Sequence, residues 1–224
     1  MLKKLLSYII PIKISEQPSN FSEKLEISYN FGKKVLDSAN TNYSYGNLQK
    51  ILRKGLVAVG FKKISKMDYI LVLGVAAGSV IETLVNEIKF SGKITGVEID
   101  TEIIDVANNF FCLQQFQNFE LIIGDASDFV LKTKRNFDLI IIDVFLDIEM
   151  PSFLFEKFFI SRLDKILNNQ GYIIFNTIVL NKKQQQRNDD YLIFANSIKG
   201  WFAKNIKCFG DHNELFIVSK KTIL

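Results

Sequence analysis

"YILVLGVAAGSVIETL", residues 69–84, decides how this chain is read. An apolar run from Tyr69 to Leu73 stops at Gly74, and small residues fill the turn as far as Gly78. Helix-like periodicity resumes at Ser79. An apolar strand, a glycine-bounded turn and a helix start are the parts of a nucleotide-binding turn. Gly74 and Gly78 let the backbone turn sharply and approach a ligand closely. The helix beginning near Ser79 is expected to offer free N–H groups to an anion such as a carboxylate. The centre of the turn, Ala76-Ala77, carries no polar side chain, and that needs a reason.

Downstream, strand and helix patterns alternate. The strands read "YILVLG", "KITGVEID", "FELIIGD", "FDLIIID" and "GYIIFNTI". The intervening helices read "SVIETLVNEIKF", "EIIDVANNFF", "ASDFVLKT" and "FLFEKFFISRLDKILNN". Several strands are apolar throughout, as parallel strands covered on both faces must be. The alternation predicts an open α/β sheet with right-handed crossovers. The polar run "KKQQQRNDD", 182–190, is expected to be a surface loop opening a helix. The end, "NIKCFGDHNELFIVSKK", reads as an antiparallel pair around a polar turn containing Gly210.

Upstream, the style differs. "KLEISYN", "FGKK" and "VLDS" alternate around a glycine turn, as in a hairpin. "YGNLQKILRKGLVAVGF" then places Leu48, Ile51, Leu52, Leu56 and Val57 at helical spacing. The chain therefore divides into a β-hairpin region, 1–45, and an α/β domain, 46–224.

At 224 residues and 48% hydrophobic, the chain suits one well-cored domain with a small appendage. Its net charge of +4 is scattered, so no nucleic-acid footprint is expected. Cys112 and Cys208 have no CxxC spacing. They are expected to be buried free thiols of a reducing cytosol, with no metal site. "MLKKLLSYIIPIKIS" is read as a strand or helix of the fold, not a signal peptide. No apolar stretch is long enough to span a membrane. A cytoplasmic protein without a nucleic-acid or membrane partner is the expectation.

Ligands of open α/β sheets bind at the carboxyl ends of the strands. There the sequence places Gly74 to Gly78, then Glu98 and Asp100, then Gly124-Asp125-Ala126, then Asp143, then Asn176-Thr177. Glu98 stands 20 residues after Gly78, where it can accept two ribose hydroxyls. Asp125 can accept from an exocyclic adenine amine while the Ala126 N–H meets a ring nitrogen. Asp143 lies beside the reacting group. Each has a plainer reading too: packing glycines, and Asp125 or Asp143 as caps. A dinucleotide fingerprint needs G-x-G-x-x-G, but Ala76 and Ser79 stand at its second and third glycines. That disfavours a dehydrogenase, and "GDA" with the terminal pair favours S-adenosylmethionine.

"YILVLGVAAGSVIETL", "ITGVEIDTEIIDVANNFF", "FELIIGDASDFVLK" and "FDLIIIDVF…LFEKFFISRLDKILNNQGYIIFN" together resemble the spermidine synthase family of class I S-adenosylmethionine-dependent transferases. "GKKVLDSANTNYSYGNLQ" is similar to that family's hairpin and its tyrosine-bearing entry to the first helix. The resemblance implies a Rossmann-like seven-stranded sheet, mostly parallel with a C-terminal antiparallel hairpin, beside a small N-terminal β-region, often in a homodimer. It implies S-adenosylmethionine or its decarboxylated form as cofactor. The candidate cofactor set is Gly74, Val75, Ala76, Gly78, Glu98, Ile99, Asp125 and Ala126. Asp143 and Tyr45 are the candidate catalytic pair, with a small-molecule acceptor entering between them. Tyr43 and Tyr45 are equally well read as packing residues. His212 is assigned to the surface, and Trp201 with most phenylalanines to the core.

The departures are informative. The family's first loop resembles "GGGDGG", and its aspartate matches Ala77. The family's "D-S-S/T-D-P" becomes "DVFLD", with Val144 and Phe145 at small polar positions and Leu146 at the second aspartate. A cationic diamine needs several carboxylates to replace its hydration. The leading expectation is therefore a methyltransferase on an unknown small acceptor. The alternatives are aminopropyl transfer from the decarboxylated cofactor, with Asp147 or Glu149 replacing the lost carboxylate, and a non-catalytic binding module.

Overall fold

The computed structural model describes residues 2–39, 42–208 and 212–221. The first segment supplies both a helix, α1 (Leu2–Leu6), and a strand, β1 (Ile12–Gln17). The alternating region is larger than the hairpin expected. β2 (Leu25–Asn30) and β3 (Lys33–Asp37) form that hairpin, and β1 and β4 (Asn42–Ser44) extend it to a four-stranded antiparallel sheet ordered β1-β2-β3-β4. Helices α2 (Gly46–Val59) and α3 (Phe61–Ile64) lead into the second sheet.

That sheet alternates as the pattern requires: β5 (Tyr69–Leu73), α4 (Ser79–Glu82), β6 (Lys93–Glu98), α5 (Thr101–Phe111), β7 (Phe119–Ile123), α6 (Ala126–Lys132), β8 (Phe137–Ile142), α7 (Lys157–Ile166), β9 (Leu167–Ile178), α8 (Lys182–Ser197), β10 (Trp201–Lys207) and β11 (Asn213–Lys220). Its order is β10-β11-β9-β8-β5-β6-β7. β5 to β9 pair in parallel, and β11 lies antiparallel to both β9 and β10. The chain leaves β5 on one side for β6 and β7, then returns to the other side for β8 and β9. That reversal opens a crevice at the carboxyl ends beside β5.

The apolar strands are apolar because both faces are covered. Ile70 and Val72 face a layer with Ile51, Leu52 and Leu56 of α2, while Leu71 and Leu73 face Phe159, Ile160 and Leu163 of α7. Gly55 brings α2 close: a Cβ there would stand 2.7 Å from Ile174 Cγ2. Trp201 is core, and its Nε1 donates to Asp164 Oδ1 at 2.8 Å.

Several local expectations change. After one turn of α4 the chain widens into a π-type stretch, Thr83–Glu87, with Ile88 N donating to Thr83 O at 3.0 Å. The "FLFEKFF" helix begins only at Lys157, after a 3₁₀ turn at Ser152–Phe155, and ends at Ile166. Leu167 pairs with Phe137, so strand geometry starts before Gly171, with an irregularity in the ladder. "KKQQQRNDD" is not a loop: Asn181 Oδ1 accepts from Gln184 N and starts α8 one residue later. Cys208 is buried, but Cys112 is exposed at the end of α5, where the chain turns away. The turn expected at Gly210 lies outside the described residues.

Candidate active site

The strand ends of β5 to β9 open on a cavity of about 630 Å³. Four carboxylates line it, Glu98, Asp125, Asp143 and Asp147, and among the described residues no Lys or Arg does. Gly74, Ala76, Ile99 and Ala126 line it too.

Gly74 is fixed by backbone crowding. It has φ +83°, and a Cβ would stand 2.1 Å from Asp143 O. Gly74 N donates to Val97 O and Asp143 N to Leu73 O, which clamps the ends of β5, β6 and β8 together. Glu98 then ties the loop down. Its Oε2 accepts from Val75 N and Ala76 N at 2.9 and 3.0 Å, and its Oε1 from Ile99 N and Asp100 N at 2.9 and 3.1 Å. Four amide donors match the roughly four lone-pair sites of a carboxylate. The buried acid at the strand end thus has its partners in the backbone.

The loop residues divide. Ala76 faces the cavity with φ +45°. Val75 is buried, 3% exposed, and Ala77 is 1% exposed against Leu25, Ile27 and Leu36 of the N-terminal sheet. The apolar centre of the turn is therefore a packing surface. Gly78, with φ +84°, caps α4 behind that surface, and neither it nor Val75 lines the cavity. The expected anion site at Ser79 does not open: Ser79 is buried and its N–H points at Ser44 Oγ, 3.4 Å away.

Asp125 does what its plainer reading said, accepting from Asp128 N at 2.9 Å as the cap of α6, while also lining the cavity. Asp143 accepts at Oδ1 from Asn176 Nδ2 at 2.8 Å, and Asn176 Oδ1 accepts from Asn213 Nδ2 at 3.0 Å. Burial pushes the Asp143 carboxyl up to about 7, against the pull of the Asn176 hydrogen bond and with a further push from the Glu98 charge.

The two tyrosines part company. Tyr43 lines the cavity, and its hydroxyl accepts from Asp147 N at 2.7 Å. Tyr45 is turned away. Its ring stacks on Phe111 with centroids 4.8 Å apart, and burial followed by the Glu82 charge drives its hydroxyl far up. Asp143 and Tyr45 are therefore not brought together; Tyr43, and not Tyr45, shares the cavity with Asp143. Asp147 reaches the cavity but is turned toward the N-terminal sheet, where Ser38 Oγ donates to its Oδ1. Glu149 does not line the cavity; its backbone pairs with Leu146.

Among the lining residues that escaped the sequence reading are Asn42, Asn47, His212 and Asn213. Asn213 pairs with Ile178 in the antiparallel return of β11, which carries it and His212 to the carboxyl end of β9. Sequence distance hid this, and the antiparallel partner of β9 was the available signal. The apolar lining near Asp143 comes from Val144, Phe145, Leu146, Ile148, Phe153 and Ile178.

Known proteins share this fold. The polyamine aminopropyltransferase of Vibrio vulnificus is 26% identical over 129 residues, 56% of this chain and 43% of that protein. The chain matches less than half the length of the polyamine aminopropyltransferases it resembles. The structure of a probable spermidine synthase from Corynebacterium glutamicum superposes with a TM-score of 0.74 at 14% identity, covering 95% of this chain and 80% of the other. Human methyltransferase-like protein 13, solved in complex with SAH, superposes at 0.65 and 19% identity, over 79% of this chain and 83% of the other. These likenesses establish the methyltransferase-type fold. Residues 49–207, which hold the strand ends described above, match the Spermine/spermidine synthase domain, and the chain belongs to that family.

Proposed function

We propose that this chain transfers an aminopropyl group from decarboxylated S-adenosylmethionine to an amine. One observation carries the choice of donor. The intact donor bears a carboxylate, and a buried carboxylate needs a cation or free amides. No Lys or Arg lines the cavity among the described residues. The loop amides of Val75 and Ala76 are held by Glu98, and Gly78 N donates to Val75 O at 2.9 Å. The decarboxylated donor lacks that carboxylate, so it leaves no buried anion without a partner. The family's curated aminopropyltransferases point the same way. This reverses the preference for methyl transfer that the loss of acidic residues suggested.

Asp125 and the Ala126 N–H would receive the adenine, while Glu98 holds the loop after β5 through its backbone amides. The acceptor's amine nitrogen attacks the methylene carbon bonded to sulfur. The C–N bond forms as the C–S bond breaks, and the electron pair leaves with sulfur as a neutral thioether. The amine proton passes to Asp143, whose Oδ2 has no protein partner among the described residues. Holding the two reactants in line supplies most of the acceleration.

Methyl transfer from S-adenosylmethionine is the second reading, favoured by the apolar Val144, Phe145 and Leu146 beside Asp143. Calorimetric titration of the full chain with each donor separates the two. Tighter binding of the decarboxylated donor, with methylthioadenosine released on adding an amine, is the expected result. Binding of the intact donor alone reverses the assignment.

A further inference from the structure

We propose that the acceptor is a primary monoamine with an apolar chain or aryl group, and not a diamine. This rests on the aminopropyl-transfer reading above. A diamine attacks through one nitrogen and keeps the other as an ammonium inside the site. That second ammonium needs a carboxylate to replace its water.

The four lining carboxylates can be followed one by one. Glu98 is filled by four backbone N–H groups. Asp125 follows β7, at the far edge of the sheet order from β8, with β5 and β6 between. Asp147 has φ +55° and is turned to the N-terminal sheet, with Ser38 on its carboxylate and Tyr43 on its N–H. Asp143 is the group that meets the attacking nitrogen. No other acid lines the cavity among the described residues. Among the remaining polar lining groups, Asn42 Nδ2 is on Asp37 and Leu36 O, and Asn176 bridges Asp143 and Asn213; none of the others, Tyr43, Asn47 and His212, is a carboxylate.

The loop that follows Asp143 is largely hydrocarbon where it lines the cavity. Val144, Phe145, Leu146, Ile148, Phe153 and Ile178 line this end. Leu146 is 43% exposed, so an apolar substituent covering it gains burial. A free ammonium in the same place loses hydration and finds no anion. The chemistry of this half recognises one nitrogen and an apolar body.

The test uses the full chain, decarboxylated S-adenosylmethionine, and three acceptors: phenethylamine, hexylamine and putrescine. Methylthioadenosine release and the mass of the aminopropylated product are read together, and donor binding is measured separately by calorimetry. The expected result is kcat/KM for the monoamines at least about ten-fold above putrescine, the scale of discrimination set by one missing polar partner. The exposed substitution Leu146→Asp is expected to narrow that ratio by raising putrescine turnover. Equal or faster putrescine turnover by the wild-type chain overturns the inference and leaves aminopropyl transfer standing. Donor binding with no monoamine product also overturns it. Failure to bind the decarboxylated donor removes the underlying reading and the inference with it.

Discussion

Asp143 stands at the carboxyl end of β8, and its environment sets its protonation. Burial raises its carboxyl to about 7, while Asn176 holds one oxygen. A base of that strength is charged above neutrality and protonated below, so kcat/KM should climb with pH through about 7 and level off beyond it. A bound sulfonium favours the carboxylate and pulls the limb in kcat to lower pH. Asp143→Asn should cost roughly 10²–10⁴-fold in turnover while the donor still binds, the range typical of a positioned base. The same group makes a stability prediction with a definite sign. The folded chain binds this proton more tightly than the unfolded chain, whose carboxyl titrates near about 4. Stability contributed by the neutral acid is therefore lost as pH rises from about 4 through about 7. The Asn variant should flatten that part of the melting-temperature profile; an unchanged slope would mean Asp143 is not the titrating group.

The loop after β5 shows what an element adds that its residues do not declare. Gly74 was legible as a turn glycine, but its reason is the 2.1 Å approach that a Cβ would make to Asp143 O. Gly74→Ala would strain both φ and that contact, and on the order of 3 kcal/mol or more of stability should be lost in denaturant titration. Ala77 was legible only as a missing aspartate. Its side chain packs under Leu25, Ile27 and Leu36, and Ala77→Asp would bury an unpaired charge. That variant should melt well below wild type and gain no activity; a stable, more active Ala77→Asp chain would contradict the packing role. The alternation of strands and helices and the acidic strand ends could be read from periodicity and spacing, because parallel strands must be apolar and ligands meet their carboxyl ends. Boundaries such as the start of β9, and the use of Val75 and Ser79, could not. They depend on which backbone amides find partners across elements 20 or more residues apart, as Val75 does with Glu98 and Ser79 with Ser44.

At the scale of the molecule, the two sheets meet over the cavity, and Tyr43 is the joint. It stands on β4 of the small sheet, lines the cavity, and accepts from Asp147 N in the loop that follows β8. Ser38, just after β3, holds the Asp147 carboxylate from the same side. The loop from Val144 to Glu149 carries most of the apolar acceptor wall, and its tight turn is closed by paired bonds between Leu146 and Glu149 at 2.8 and 3.0 Å. Its position relative to Asp143 thus depends on the N-terminal sheet. Tyr43→Phe removes one hydrogen bond and keeps the ring, so global stability should fall by only about 1 kcal/mol. The local effect should be larger. Amide exchange in residues 144–149 should speed up while the strands β5 and β8 stay protected, and KM for the acceptor should rise more than kcat falls, because the wall is loosened and the base is untouched. If exchange in that loop is unchanged, Tyr43 is not the joint between the small sheet and that loop.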